Sequence, residues 1–205
     1  MVLSPSQIAA AHAHVVSDPP QAGLPVATAS EVKATLNGIH SALVSFSNSM
    51  TAFINNVMAQ LNAGTIDHTG ALDLLASYGF NIKFPQLFYN IETAAGRLPY
   101  GAGFNGFATT NPSTPSGLGV AELPSGGPSL FTLLAVGTPQ NGFVSPLGTI
   151  ERNFDNALFA TPPDFNAVGQ AVSHSAIVTA YQESVPVVQQ YIVAGVTAGD
   201  FSFKR

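Results

Sequence analysis

The chain of 205 residues contains no cysteine and no tryptophan, and Lys, Arg, Asp and Glu together make up only 8% of it. Globular domains average about 25% charged residues. Without cysteine there are no disulfides, no thiolate metal sites and no cysteine nucleophile, and the redox compartment stays undecided. Six basic residues stand against eleven acidic ones, for a net charge of −5. That balance excludes the basic stripe that phosphate neutralisation needs, so no nucleic-acid partner is expected. The only adjacent basic pair is Lys204-Arg205, and the same shortage argues against docking on anionic membranes. Long apolar runs are missing too. The uncharged stretch 34–66 is rich in Ser, Asn and Gln, and the run Leu130 to Val136 is too short to span a bilayer. Met1 to Val16 has no basic n-region and includes His12 and His14, so no signal peptide is expected.

What replaces the charge is Ser, Thr, Asn, Gln, Gly and Pro, on a hydrophobic content of 46%. The length suits one domain with a sizeable core. Its clearest pattern is an alternation of four- and three-residue steps: Val32, Leu36, Ile39, Leu43, Phe46, Met50, Phe53, Val57. This 3.5-residue period is the seam of a helix packed along another helix. Thr28-Ala-Ser-Glu31 reads as a capping box that opens this helix, and Gly64 is placed to close it. Ser and Asn cover its other faces where Glu and Lys would lace an ordinary water-facing helix. Such residues are mediocre helix formers, so packing on several sides is the expected source of stability. The eight seam residues are therefore candidates for a subunit contact.

Elsewhere the pattern is punctuated. Ser4-Pro5-Ser6-Gln7 predicts a short helix to about Val16, stopped by Asp18-Pro19-Pro20, and residues 17–27 read as an extended arm. A helix is expected from Thr69 to Tyr78 with Gly79 as terminator. Phe80 to Phe84 alternates like a short strand ended by Pro85, and 86–95 reads as helical again. A Gly/Pro-rich insertion spans about 97–148, and within it 129–136 fits a strand or a helix equally. Thr149 to Ala160 is an expected helix. Asp164 caps a second long helix over 165–198, kinked near Gln182 by Pro186. The organisation read from this is an N-terminal short helix and arm over 1–27 and a single helical domain over 28–205.

No motif in the chain makes a convincing catalytic centre. Gly101-Ala-Gly-Phe-Asn-Gly106 has the letters of a dinucleotide loop, but neither the strand before it nor the helix after it. His12, His14, His40, His68 and His174 have no spacing that forces convergence on a metal. Ser173-His174-Ser175 lacks triad geometry, because adjacent residues on a helix diverge. Glu151, Asp155 and Asp164 fit helix starts as well as acid–base work. Aromatic residues crowd 80–107. Phe84, Phe88, Phe104 and Phe107 are the candidates for lining an apolar pocket, with a satellite of the core as the preferred alternative.

Ala/Ser/Asn-rich helices joined by Gly-Pro-Phe segments are similar in composition to the mycobacterial PE and PPE surface proteins. The chain departs from them in having no Pro-Glu near its start, no Trp, and no Tyr followed four positions later by an acid. The resemblance is one of style, and no family is assigned. The sequence therefore predicts a mainly α, long-helix bundle: two long helices, shorter ones, a Gly/Pro-rich loop region and little or no β. The expected function is a non-enzymatic structural subunit of a homopolymer (filament, sheath, coat or shell), whose partners are copies of itself and which needs no cofactor or metal. Extracellular, cell-surface or virion settings suit it better than the cytoplasm. The alternatives are a helical module binding an apolar ligand or lipid through 80–107, and a secreted membrane-active effector.

Overall fold

The computed structural model describes residues 23–102, 122–137 and 145–205. The expected helix over 4–16, most of the arm, Phe104 and Phe107 lie outside these residues.

Strand β1, Val26–Thr28, leads directly into helix α1, Ala29–Asn62. Thr28 is the predicted cap: the Glu31 amide donates to its hydroxyl at 3.2 Å, and its own amide donates to the Glu31 carboxylate at 2.7 Å. Two orphan donors of the first turn are thereby satisfied. At the far end Gly64 takes φ +70°, the left-handed turn that glycine adopts without a Cβ penalty.

Helix α2, His68–Tyr78, and helix α3, Phe84–Ala95, are joined without a break by a π-turn over Gly79–Lys83. This corrects two expectations. Gly79 does not terminate a helix: its φ is −64°. It is glycine because an added Cβ would lie 2.8 Å from the Phe154 ring. The segment Phe80 to Phe84 is not a strand. Phe80 and Phe84 both contact Phe154, a spacing of four that one helix face supplies as readily as an alternating strand. The Phe84 amide closes the wide turn on the Gly79 carbonyl. Proline crowds the carbonyl four residues back, and the widened turn just ahead of Pro85 absorbs it.

Residues 130–136 resolve as helical, ending in a second π-turn, Thr132–Val136, at Gly137 with φ +78°. Helix α4 is Pro146–Leu158, three residues earlier than expected. Ser145 caps it through the Gly148 amide at 3.0 Å, and Pro146 fills the first turn. The predicted helix over 165–198 divides into α5, Phe165–Ala171, and α6, His174–Ala198. Asp164 caps α5 as expected, accepting from the Ala167 amide at 2.9 Å. Ser173 opens α6, accepting from the Ala176 amide at 3.3 Å. The Val172 carbonyl, freed at that break, accepts the Ser47 hydroxyl of α1 at 2.7 Å. Pro186 lies inside α6 without ending it.

The fold is a helical bundle in which α1 packs against α3 and α6, and α4 packs against α5 and α6. Strand β2, Ser202–Lys204, runs parallel to β1 in the register Val26↔Ser202, Ala27↔Phe203 and Thr28↔Lys204. The Gly/Pro insertion contributes to the core: Leu98, Leu123, Leu130, Phe131 and Leu134 are buried. Its roots are tied together, since the Phe131 amide donates to the Gly101 carbonyl at 2.9 Å.

Candidate assembly surface

The predicted seam of α1 points inward. Ile39, Leu43, Phe46, Met50 and Val57 are buried in the chain's own core, with Val32, Leu36 and Phe53 half-buried against it. Phe46 meets Phe84 at 5.0 Å between ring centroids, and Phe53 stacks on Tyr78 at 3.8 Å. Gly38 and Ala94 bring α1 and α3 close, for an added Cβ on Gly38 would lie 2.8 Å from that of Ala94. The Thr35 hydroxyl donates to the Ala94 carbonyl at 3.1 Å. These eight residues are thus occupied by helices of the same chain.

The opposite side of α1 gathers the uncharged Ser and Asn positions expected on its other faces into a second seam, with Ala34, Ala52 and Ala59 added. Ala34, Asn37, Ser41, Ser45, Asn48, Ala52, Asn55, Ala59 and Asn62 also follow steps of three and four. They lie half a turn away from the apolar seam. All but the half-buried Ala34 are exposed. None is charged, and none is larger than asparagine. A shallow open depression runs along this face, lined by His40, Ser41, Val44, Ser45, Asn48 and Ser49. It is flanked on one side by the π-turn and α3, where Lys83, Gln86 and Asn90 stand near Ser45 and Ser49. On the other side His40 sits edge-on to Tyr181 of α6 at 5.1 Å. The signal for this seam was present in the spacing. Its small residues carry no apolar periodicity, so the composition marks the face as uncharged without marking it as a seam.

The aromatic segment is mostly core. Phe84 and Phe88 are 1% and 4% exposed and face each other at 6.3 Å, with Phe80, Phe46 and Phe154 around Phe84. Phe104 and Phe107 fall outside the described residues. Of the histidines, His40 and His174 are exposed, and His68 lies 6.1 Å from the Phe165 ring. Among the described residues no three His, Asp or Glu side chains gather where a metal would bind, and no helix is long and apolar enough to cross a membrane.

A polar cluster gathers around the buried Asp200 and Tyr191. The Asp200 carboxylate accepts the Ser125 amide at 2.9 Å and its hydroxyl at 2.6 Å. Nearby, the Tyr191 hydroxyl donates to the Pro99 carbonyl. Burial first, then the Asp200 and Tyr100 side chains, push the Tyr191 phenol above its ordinary value of 10.0. It stays a neutral donor. The cluster ties Ser125 and Pro99 of the insertion to the end of α6. Searches against family descriptions, characterised proteins and solved structures found no match to this chain.

Proposed function

We propose that the protein is a non-enzymatic structural subunit whose copies associate through the outward face of α1. The observation that carries this reading is the second seam: an exposed, charge-free run of small residues along a helix of 34 residues. An exposed helix face of this length ordinarily carries Lys and Glu for solubility. Placing those charges in a contact would carry a large desolvation cost, whereas Ser and Asn pair locally and Ala adds little bulk. Small side chains also allow helix axes to approach to about 8 Å, the close end of the usual range. The seam from Ala34 to Asn62 is about 42 Å long. At a width of about 10 Å it would bury about 420 Å² on each copy, so flanking residues of neighbouring elements must join the contact to reach the roughly 1,000 Å² total of a specific interface.

The apolar-ligand alternative has weaker support, because two of its four rings are committed to the core. The experiment is light scattering of the purified protein across concentration, with negative-stain electron microscopy of the same samples. Concentration-dependent growth into regular filaments, sheets or shells is expected. A protein that stays monomeric at high concentration overturns the proposal.

A further inference from the structure

Large apolar side chains stand in water on both flanks of the α1 seam. Along the π-turn and α3, Ile82, Gln86, Tyr89 and Thr93 follow steps of four and three and are exposed, Ile82 at 50% and Tyr89 at 46%. They share one side of the helix, opposite the buried Phe84, Leu87, Phe88 and Ile91. Along α6, Ser175, Val178, Gln182, Val185 and Gln189 repeat the pattern, exposed except for the half-buried Val185. The core side of α6 is Ile177, Ala180, Ser184 and Val188. Helix α1 lies between the two. Its Ser45 and Ser49 stand beside Gln86 and Asn90, while its His40 meets Tyr181 and its Ser47 bonds the Val172 carbonyl. The three helices form one layer, and on each the row turned away from the core points out of it. Charge is absent from all three rows. The acidic and basic residues of these helices are Glu31, Lys33, Glu92 and Glu183. Glu31 closes the capping box, Lys33 precedes the seam, Glu92 is buried, and Glu183 lies about a quarter-turn around α6 from Gln182. Lys83, between α1 and α3, lies 5.3 Å over the Tyr78 ring and donates to Gln86 at 3.1 Å.

We propose that the docking surface is the whole outward face of the α3–α1–α6 layer, and that its occupant is the same face of a second copy. The inference rests on the assembly reading above and adds the two flanking rows to it. The area requires them. The α1 strip alone supplies about half of the roughly 800 Å² that each partner contributes to a standard interface. At a width of about 10 Å, the 12 residues of α3 and the stretch from Ser175 to Gln189 add about 390 Å², which brings each copy to that share. Charge selects the occupant. A charged partner finds no counter-charge in these rows and would give up hydration without return. A face with no charge of its own gives up least, and every copy of the chain carries one. Ile82, Tyr89 and Val178 supply the bulk that the Ser, Asn and Ala floor of α1 lacks. Tyrosine is among the residues enriched where such contacts close.

Two measurements on the full chain test the flanks. In light scattering, Tyr89→Glu and Gln182→Glu should each raise the concentration at half-assembly by about tenfold or more, as an unpaired charge placed in a contact does. Asn156→Glu is the control: Asn156 is exposed on α4, which packs against α5 and α6, and this variant should assemble as the parent does. The cysteine-free chain permits a second readout that leaves the charge unchanged. Single variants Ser45→Cys, Tyr89→Cys, Gln182→Cys and Asn156→Cys are treated with a maleimide while dilute and again once assembled. The first three thiols should lose reactivity on assembly and the fourth should keep it. Protection of Ser45→Cys alone, with Tyr89→Glu and Gln182→Glu assembling normally, confines the contact to α1 and overturns the three-row face. Protection of one flank without the other overturns it equally. A parent protein that stays monomeric at high concentration overturns the second copy as occupant, together with the assembly reading beneath it.

Discussion

The two faces of α1 share one helix, one spacing and one length, and differ in side-chain size. Inward, Ile39, Leu43, Met50 and Val57 are 0%, 1%, 0% and 0% exposed. Outward, the seam from Ala34 to Asn62 holds no charge and nothing larger than asparagine, with His40 beside it. The period of the pattern says only that a helix packs on something. The size of the residues says on what. Large apolar side chains demand burial strongly enough to be satisfied within the chain, while small uncharged ones leave a surface stable in water yet cheap to cover. The flanks blur the contrast. Thr35 and Ser47 are polar but buried, each donating to a backbone carbonyl of another element. That is how polar side chains enter a core without penalty.

Substitutions separate the two faces. The largest expected effect is inward. Met50→Ala leaves a cavity between α1 and the Phe154 region and should cost about 3 kcal/mol of folding stability, within the usual range for such truncations. Urea denaturation checks it. Gly38→Ala comes next and tests the close approach to Ala94. Alanine is the better helix former by about 1 kcal/mol, yet the steric overlap should make the variant net destabilising by about 1–2 kcal/mol. A stabilised Gly38→Ala protein would show that α1 and α3 are farther apart than described. Thr28→Ala removes the capping box and should lower stability by about 1 kcal/mol, measured as the shift in thermal midpoint.

The outward face should behave in the opposite way. Ala52→Glu is expected to change folding stability by less than about 0.5 kcal/mol, as exposed substitutions do, while abolishing assembly in light scattering. Ala52→Ser, the same size class, should assemble as the parent does. If Ala52→Glu assembles normally, the contact lies elsewhere. The smallest effect concerns pH. Burial, and secondarily the Asp155 carboxylate, raise the half-buried Glu151 above its ordinary value of 4.5. The folded chain then holds this proton more tightly than the unfolded chain. Stability is lost as pH rises from about that ordinary value through the folded one, and the loss is complete above it. Glu151→Gln should be slightly more stable than the parent at pH 7 and equal to it at pH 3, by thermal melts at both.

Much of the fold was legible, and the legible parts were local. The Thr28–Glu31 box, the Gly64 turn and the Asp164 cap are decided by hydrogen bonds and backbone freedom within a few residues. So are the bounds of α1. The Ser145-Pro146 start carries the same Ser-cap and Pro signal as Ser4-Pro5, but the Gly and Pro residues around it mask the helix locally. The misread places depend on distant partners. Gly79 is explained by the Phe154 ring, 75 positions away in sequence, and the Val172 carbonyl at the α5–α6 break by Ser47. Neither partner leaves a trace in the local pattern. The β1–β2 pair joins three-residue strands from the two ends of the described chain, each too short to show a period.

By itself the sequence determined that the chain is helical, that its longest helix runs from about Thr28 to Gly64, and that this helix offers an uncharged surface. Period, caps and composition are properties of neighbouring residues, and hydrogen bonding along one helix reads them directly. The tertiary structure decided which seam of that helix is consumed. Burial depends on what else stands alongside, and only the packing of α3 and α6 shows that the apolar seam is filled from within and the small-residue seam is left exposed. It likewise decided that the segment after Gly199 returns to the start of α1, because a strand pair between such distant residues is formed by geometry that no local propensity encodes.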